Sequence, residues 1–222
     1  ITAIGLHIEG VNDVAEFDRV ARRALEKKVP VVALKSGKSA AAAEIAMSHT
    51  SSLTGSDALF DALFQRTGIE RVENVPQFLE TLKLLAILGP LSGNRVASMS
   101  CSGGEAGMMA DLIDDKHVEF PPMETDHAAR VRETLSDYVH VANPLDYHTF
   151  IWGDLEKKTR TFTAMLSGNY DATMLLLDWP NYEGNDPSNW DMAMNALGNA
   201  ADATGGKGII LASMAECLPQ HA

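Results

Sequence analysis

The 222-residue sequence has only two cysteines, Cys101 and Cys217, set far apart. So sparse a thiol content excludes a disulfide-stapled scaffold and fits a reduced, cytoplasmic compartment. Long apolar runs are also missing. The longest, residues 84–91, falls well short of the ~20 residues that span a bilayer, so no membrane partner is expected. Positive charge is scarce: 18 Lys and Arg stand against 30 Asp and Glu, giving a formal net charge of −12 and a pI near 4.9. That balance excludes nucleic acid as the main partner, because phosphate backbones are held by basic patches. Apart from His49, the histidines (His7, His117, His127, His140, His148, His221) lack ligand spacing, so no metal site is indicated. An initiator Met and a signal peptide are absent as well. Ile1-Thr2-Ala3-Ile4 is already apolar and strand-like, and the expectation is a piece of a longer protein.

What is present is an apolar content of 45%, enough for one large core or two compact ones. Residues 1–8 read as a strand, 14–28 as an amphipathic helix stopped by Pro30, and 31–34 as a fully apolar, buried strand. Ser56-Asp57 can cap a helix to about Arg66; Gly68 closes it, 69–72 is a short edge strand, and Pro76 opens a helix to Leu88. The turn-rich stretch from Gly89 to Asn94 is the best boundary. Beyond it the pattern restarts, with strands at 95–99, 118–120, 173–177 and 208–212. Helices are expected at 105–115, 128–138, 155–166 and 192–203. Strands alternating with helices of this length predict two doubly wound α/β domains with mainly parallel sheets.

Four segments could carry chemistry. Ser102-Gly103-Gly104-Glu105 follows a strand and opens a helix, so its free amides form an anion site or, equally, a tightly packed turn. Its spacing is not that of a dinucleotide fingerprint. Ser36-Gly37-Lys38-Ser39 is no P-loop, since Val32 stands where the first glycine belongs. Lys35 and Lys38 there are either solvated or turned to a phosphate. Cys101 and Ser102 sit where a nucleophile elbow would place its nucleophile, but the motif is absent and no base accompanies them, so a small buried thiol is favoured. His49, among hydroxyl residues before a helix, reads by itself as a solvated or capping histidine.

Taken together these segments resemble the nucleoside-diphosphate-forming acyl-CoA synthetases, which include ADP-forming acetyl-CoA synthetase and succinyl-CoA synthetase. The likeness rests on Ile8-Glu9-Gly10, on residues 31–39, on Ser48-His49-Thr50 with residues 53–57, and on Ser102-Gly103-Gly104-Glu105-Ala106. Asn143-Pro144-Leu145-Asp146 is a fifth match. The resemblance implies flavodoxin-like domains over 1–89, lacking its N-terminal part, and over 94–222. It implies that His49 is phosphorylated and that Glu9 holds its other ring nitrogen, fixing the tautomer and stabilising the phosphoimidazole. Ser102, Gly103 and Gly104 would bind phosphate at one of two paired helix N-termini. Asn143, Asp146 and Trp179 are candidate substrate contacts. Trp179, Tyr182 and Trp152 suggest a bulky or cationic acyl group.

The implied reaction joins a small carboxylic acid to CoA, with ATP and Mg2+ bound mainly by an ATP-grasp domain outside this sequence. That domain and a CoA-binding domain would be fused or on another subunit of an oligomer, and this piece alone would be inactive. The alternative is a non-catalytic regulatory or binding module of the same fold. Two departures stand out. Ser51 replaces the usual Gly after His-Thr, and Glu105 places a negative charge at an anion-binding helix start.

Overall fold

The computed structural model describes residues 1–39, 41–42, 57–114, 116–180 and 186–212. They form two compact units, Ile1–Pro90 and Leu91–Ala222. His49, its flanking hydroxyl residues, Tyr182 and Cys217 lie outside the described residues.

The first unit is a parallel sheet in the order β1-β2-β3, built from Ile4–Ile8, Val31–Lys35 and Ile69–Val72. Its central strand β2 is buried throughout, because helices cover both faces. Alternation along β2 sends Val31 and Ala33 to one face, against Ala21 of α1 (Val14–Glu26) and Phe60 and Phe64 of α2 (Asp57–Thr67). Val32 and Leu34 meet Phe78, Leu82 and Leu85 of α3 (Val75–Ile87) on the other. Local chemistry starts these helices: the side chains of Asp13 and Asn74 each accept an amide three residues on, both at 2.9 Å. Gly68, at φ +68°, ends α2 in the left-handed conformation.

The second unit is a four-stranded parallel sheet, β5-β4-β6-β7. Its elements are β4 (Val96–Ser100), α4 (Gly103–Leu112), α5 (Thr125–Arg132), β5 (Leu145–Asp146), a 3-10 turn (Thr149–Ile151), α6 (Leu155–Leu166), β6 (Ala172–Leu177), α7 (Ser188–Thr204) and β7 (Gly208–Ala212). Met99, Leu145, Phe162, Met165, Leu175 and Ala196 are fully buried in its core.

Both units are α/β with parallel sheets, as the alternation of elements led one to expect. Three local readings change. The segment 118–120 makes only an isolated bridge, Glu119 to Arg95, instead of a strand. The helix expected at 128–138 ends at Arg132, whose guanidinium then donates to the carbonyls of Ser136 (2.9 Å) and Val139, holding the following residues as a loop. The two-residue strand β5 was not foreseen; it pairs with Met99 and Ser100. No described helix is long and apolar enough to cross a membrane.

Gly5 is where β1 and α3 come closest. A Cβ there would lie 2.6 Å from Leu82 Cδ1 and 2.7 Å from Phe78 Cζ. Gly5→Ala is therefore expected to destabilise the protein by about 1–3 kcal/mol through overpacking. An unchanged urea midpoint would show that α3 yields without cost.

Candidate functional site

Parallel pairing places the carboxyl ends of all strands of a sheet on one side, where open α/β sheets bind ligands. In the first unit, Ile8 is opposite Lys35, and Ser36 N–H donates to Ile8 O at 3.1 Å. Glu9, half-buried, therefore stands beside Ser36, the residue that follows β2. Lys35 is 2% exposed. Its Nζ donates to Ser36 O and lies 4.6 Å from the centre of the Phe60 ring. Burial lowers its pKa, while the nearby carboxylates of Asp57 and Glu9 oppose the shift.

The same edge contains an arginine clamp. Arg71 on β3 donates through Nη2 to both oxygens of Asp57, at 2.9 and 3.0 Å, and through Nη1 to Asp61. The bidentate fork fixes the first turn of α2 to the sheet, at the point where the described chain resumes after residue 42. Lys38 pairs with Glu73 one residue beyond β3. Sequence reasoning overlooked Arg71; its one available signal was a lone arginine in an otherwise apolar-and-acidic edge strand.

In the second unit the corresponding edge is the turn from β4 into α4. Ser102 is the N-cap: its Oγ accepts from Glu105 N–H at 3.4 Å. The helix thus starts at Gly103, two residues earlier than the sequence reading, and Gly103 and Gly104 are exposed in its first turn. Asp146, the last residue of β5, packs against this turn, its Oδ2 3.2 Å from where a Gly103 Cβ would be. Asp146 also accepts from His148 N–H at 2.9 Å and pairs with His148 Nε2 at 3.3 Å. Ser102, Gly103 and Asp146 are therefore neighbours.

Three carboxylates gather here. Glu105 has its pKa raised by burial, then by Asp178 and Asp146. The Cys101 thiol is pushed up to about 11, chiefly by burial and then by Asp178, Glu105 and Asp146. Such a thiol is protonated near neutrality, which argues against a cysteine nucleophile.

Asn143 and Trp179 are both engaged inside the second unit. The Asn143 carboxamide accepts from Ser98 N–H at 3.0 Å and donates to the carbonyls of Val96 (2.9 Å) and Pro121 (3.1 Å), knitting β4 to its neighbouring loops. Trp179 is 0% exposed and belongs to the core. Trp152 packs edge-on to Trp190 at 5.2 Å and over the buried Lys158 ammonium at 4.3 Å, so its aromatic face is already taken.

Comparison with known proteins bears on the whole chain. Residues 1–85 match the succinyl-CoA ligase like flavodoxin domain. The chain is 32% identical, over 99% of its length, to the acetate–CoA ligase [ADP-forming] II subunit alpha of Pyrococcus furiosus, of which it spans 47%. The chain is a homologue of the ADP-forming acyl-CoA ligases. It is also 31% identical over 64% of its length to the acetate–CoA ligase [ADP-forming] of Methanocaldococcus jannaschii, spanning 20% of that protein. Its fold matches the Ca. Korarchaeum cryptofilum dinucleotide forming acetyl-coenzyme A synthetase 1 with a TM-score of 0.78 at 20% identity, over 95% of this chain and 44% of that one. The chain thus spans about half or less of the proteins it matches.

Among the described residues of this homologue, no group of three or more His, Cys, Asp or Glu is arranged to hold a metal ion.

Two outcomes test these placements. In a Cys217→Ser background at pH 8, Cys101 should be alkylated by iodoacetamide roughly 100-fold more slowly than an ordinary exposed thiol, because burial pushes its pKa up to about 11 and makes its thiolate scarce. The rate should climb about tenfold per pH unit up to that value. Asn143→Ala should cost roughly 2–4 kcal/mol in urea denaturation, since buried backbone groups lose their partner. Unchanged stability with lost activity would return Asn143 to the substrate.

Proposed function

We propose that this chain is the part of an ADP-forming acyl-CoA ligase that accepts a phosphoryl group on His49 and handles the acyl phosphate made from it. The observation that carries the reading is Glu9. It follows the carboxyl end of β1 and stands beside Ser36, thirteen residues before His49 in the sequence. A carboxylate there can accept from one imidazole nitrogen, leave the other as nucleophile, and stabilise the cationic phosphoimidazole.

In the whole enzyme, His49 takes the γ-phosphoryl group of ATP and releases ADP. The carboxylate of a small acid then attacks phosphohistidine to give acyl phosphate and free His49. The CoA thiol displaces phosphate to give acyl-CoA. Ser102, Gly103 and Gly104 serve the anionic groups: Gly103 and Gly104 are exposed in the first turn of α4, and the dipole favours negative charge. Asp146 orders this turn from beside Gly103. ATP, Mg2+ and much of CoA belong to CoA-binding and ATP-grasp domains, fused or on another subunit of a cytoplasmic oligomer. The chain without them is silent.

Incubating the full-length enzyme with γ-labelled ATP should give acid-labile label on the wild type, none on His49→Ala, and at least tenfold less on Glu9→Gln. Equal labelling of wild type and His49→Ala would sink the assignment and favour the non-catalytic module.

A further inference from the structure

Ser102-Gly103-Gly104-Glu105 has the spacing of a capping box, in which first and fourth side chains each accept the other residue's amide. Only half of that box is built. Ser102 Oγ takes Glu105 N–H, but Ser102 N–H is directed to Ser100 Oγ at 3.5 Å, and Ser100 Oγ in turn donates to Ser102 O at 2.9 Å. Glu105 is released from capping. Its Oε2 is shut off from solvent with no hydrogen-bond partner among the described residues.

A second polar atom is little better served. Tyr147, 0% exposed, follows Asp146, and its hydroxyl lies near Glu105 and Asp178 with only the Cys101 thiol, a weak partner, in reach among the described residues. Burial and those three groups hold the phenol protonated, so it is a donor. A buried acceptor with no partner and a buried donor with only a weak one are costly in the free protein and suit a ligand that brings a hydrogen to one and an oxygen to the other. A thiol attacking an acyl carbonyl has both.

We propose that Glu105 accepts the proton of the CoA thiol as sulfur attacks the acyl phosphate at the N-terminus of α4, and returns it in the reverse reaction. This rests on the ligase reading above. The sulfur–carbon bond forms, and the bond from acyl carbon to bridging oxygen breaks with its electron pair leaving on phosphate. The S–H proton moves to the Glu105 carboxylate, which later gives it to solvent. The groups facing Glu105 suit it to this work: Asp146 at the end of β5 (itself paired with His148), Asp178 after β6, and the neutral Cys101 and Tyr147. Two negative neighbours and burial strengthen the carboxylate as a base, nearer the match with a thiol that proton transfer favours. The negative charge at an anion-binding helix start thereby has a use, since it is neutralised in the same step that releases phosphate.

The test compares wild type and Glu105→Gln of the full-length enzyme in three assays. These are phosphohistidine labelling from ATP, acyl hydroxamate formation with hydroxylamine in place of CoA, and thioester formation with CoA across pH. Hydroxylamine is nucleophilic as the free amine and needs no base. The variant should keep labelling and hydroxamate formation within about twofold, which also reports that it folds. It should lose thioester formation about 10²–10³-fold, with the remaining rate rising with pH toward ionisation of the thiol itself. Parallel loss of hydroxamate and thioester, or a thioester rate equal to wild type, would overturn the proposal. A wild type that forms neither phosphohistidine nor hydroxamate would overturn the ligase reading, and this role with it.

Discussion

Parallel pairing of apolar strands is the constraint on which this molecule depends. A strand buried on both faces, such as β2, cannot leave its backbone groups unmatched, so it needs a partner on each side and a helix on each face. Meeting that need with crossover helices makes every strand run the same way. All loops after strands then emerge along one edge, and Glu9, Ser36 and Glu73 in one unit, with Ser102, Asp146 and Asp178 in the other, become neighbours of the strand ends rather than of each other in sequence. Chemistry collects there because the fold leaves polar residues no better place.

The two edges differ in electrostatic character. In the first unit a buried lysine and an arginine fork balance the carboxylates, and α2 is tied to the sheet through Asp57. In the second unit carboxylates crowd an exposed helix start, and the nearest buried cation, Lys158, is occupied by Asn189 O and the Trp152 ring. An anion bound at the α4 amides would therefore sit against unbalanced negative charge. That imbalance favours protons on Glu105 and Cys101.

Much of the fold was legible in the chain itself. The run Val31-Val32-Ala33-Leu34 announces a doubly covered strand, and the segments 155–166 and 208–212 coincide with α6 and β7. Where the reading slipped, tertiary contacts decided. The loop after α5 is held by Arg132 reaching carbonyls four and seven residues away, and β5 exists only because Leu145 and Asp146 pair with Met99 and Ser100. The candidate site was half legible. Glu9 and the glycine turn stand out by position after strands, whereas Arg71, Tyr147 and Asp178 carry no pattern that separates them from ordinary surface or core residues.

By itself, then, the sequence determined the alternation of elements, the two-unit division near Gly89-Pro90 and the family to which the chain is homologous, because periodicity, caps and short motifs are local properties of a chain. Tertiary structure alone decided which polar groups serve the fold and which are left over for a ligand. The Asn143 carboxamide binds three backbone groups, and the Trp179 ring lies in the core. Glu105, which looked like a misplaced charge, is the carboxylate whose capping partner was taken by Ser100. Hydrogen-bonding capacity is fixed by residue type, but whether it is satisfied depends on what the packing brings within 3 Å or so.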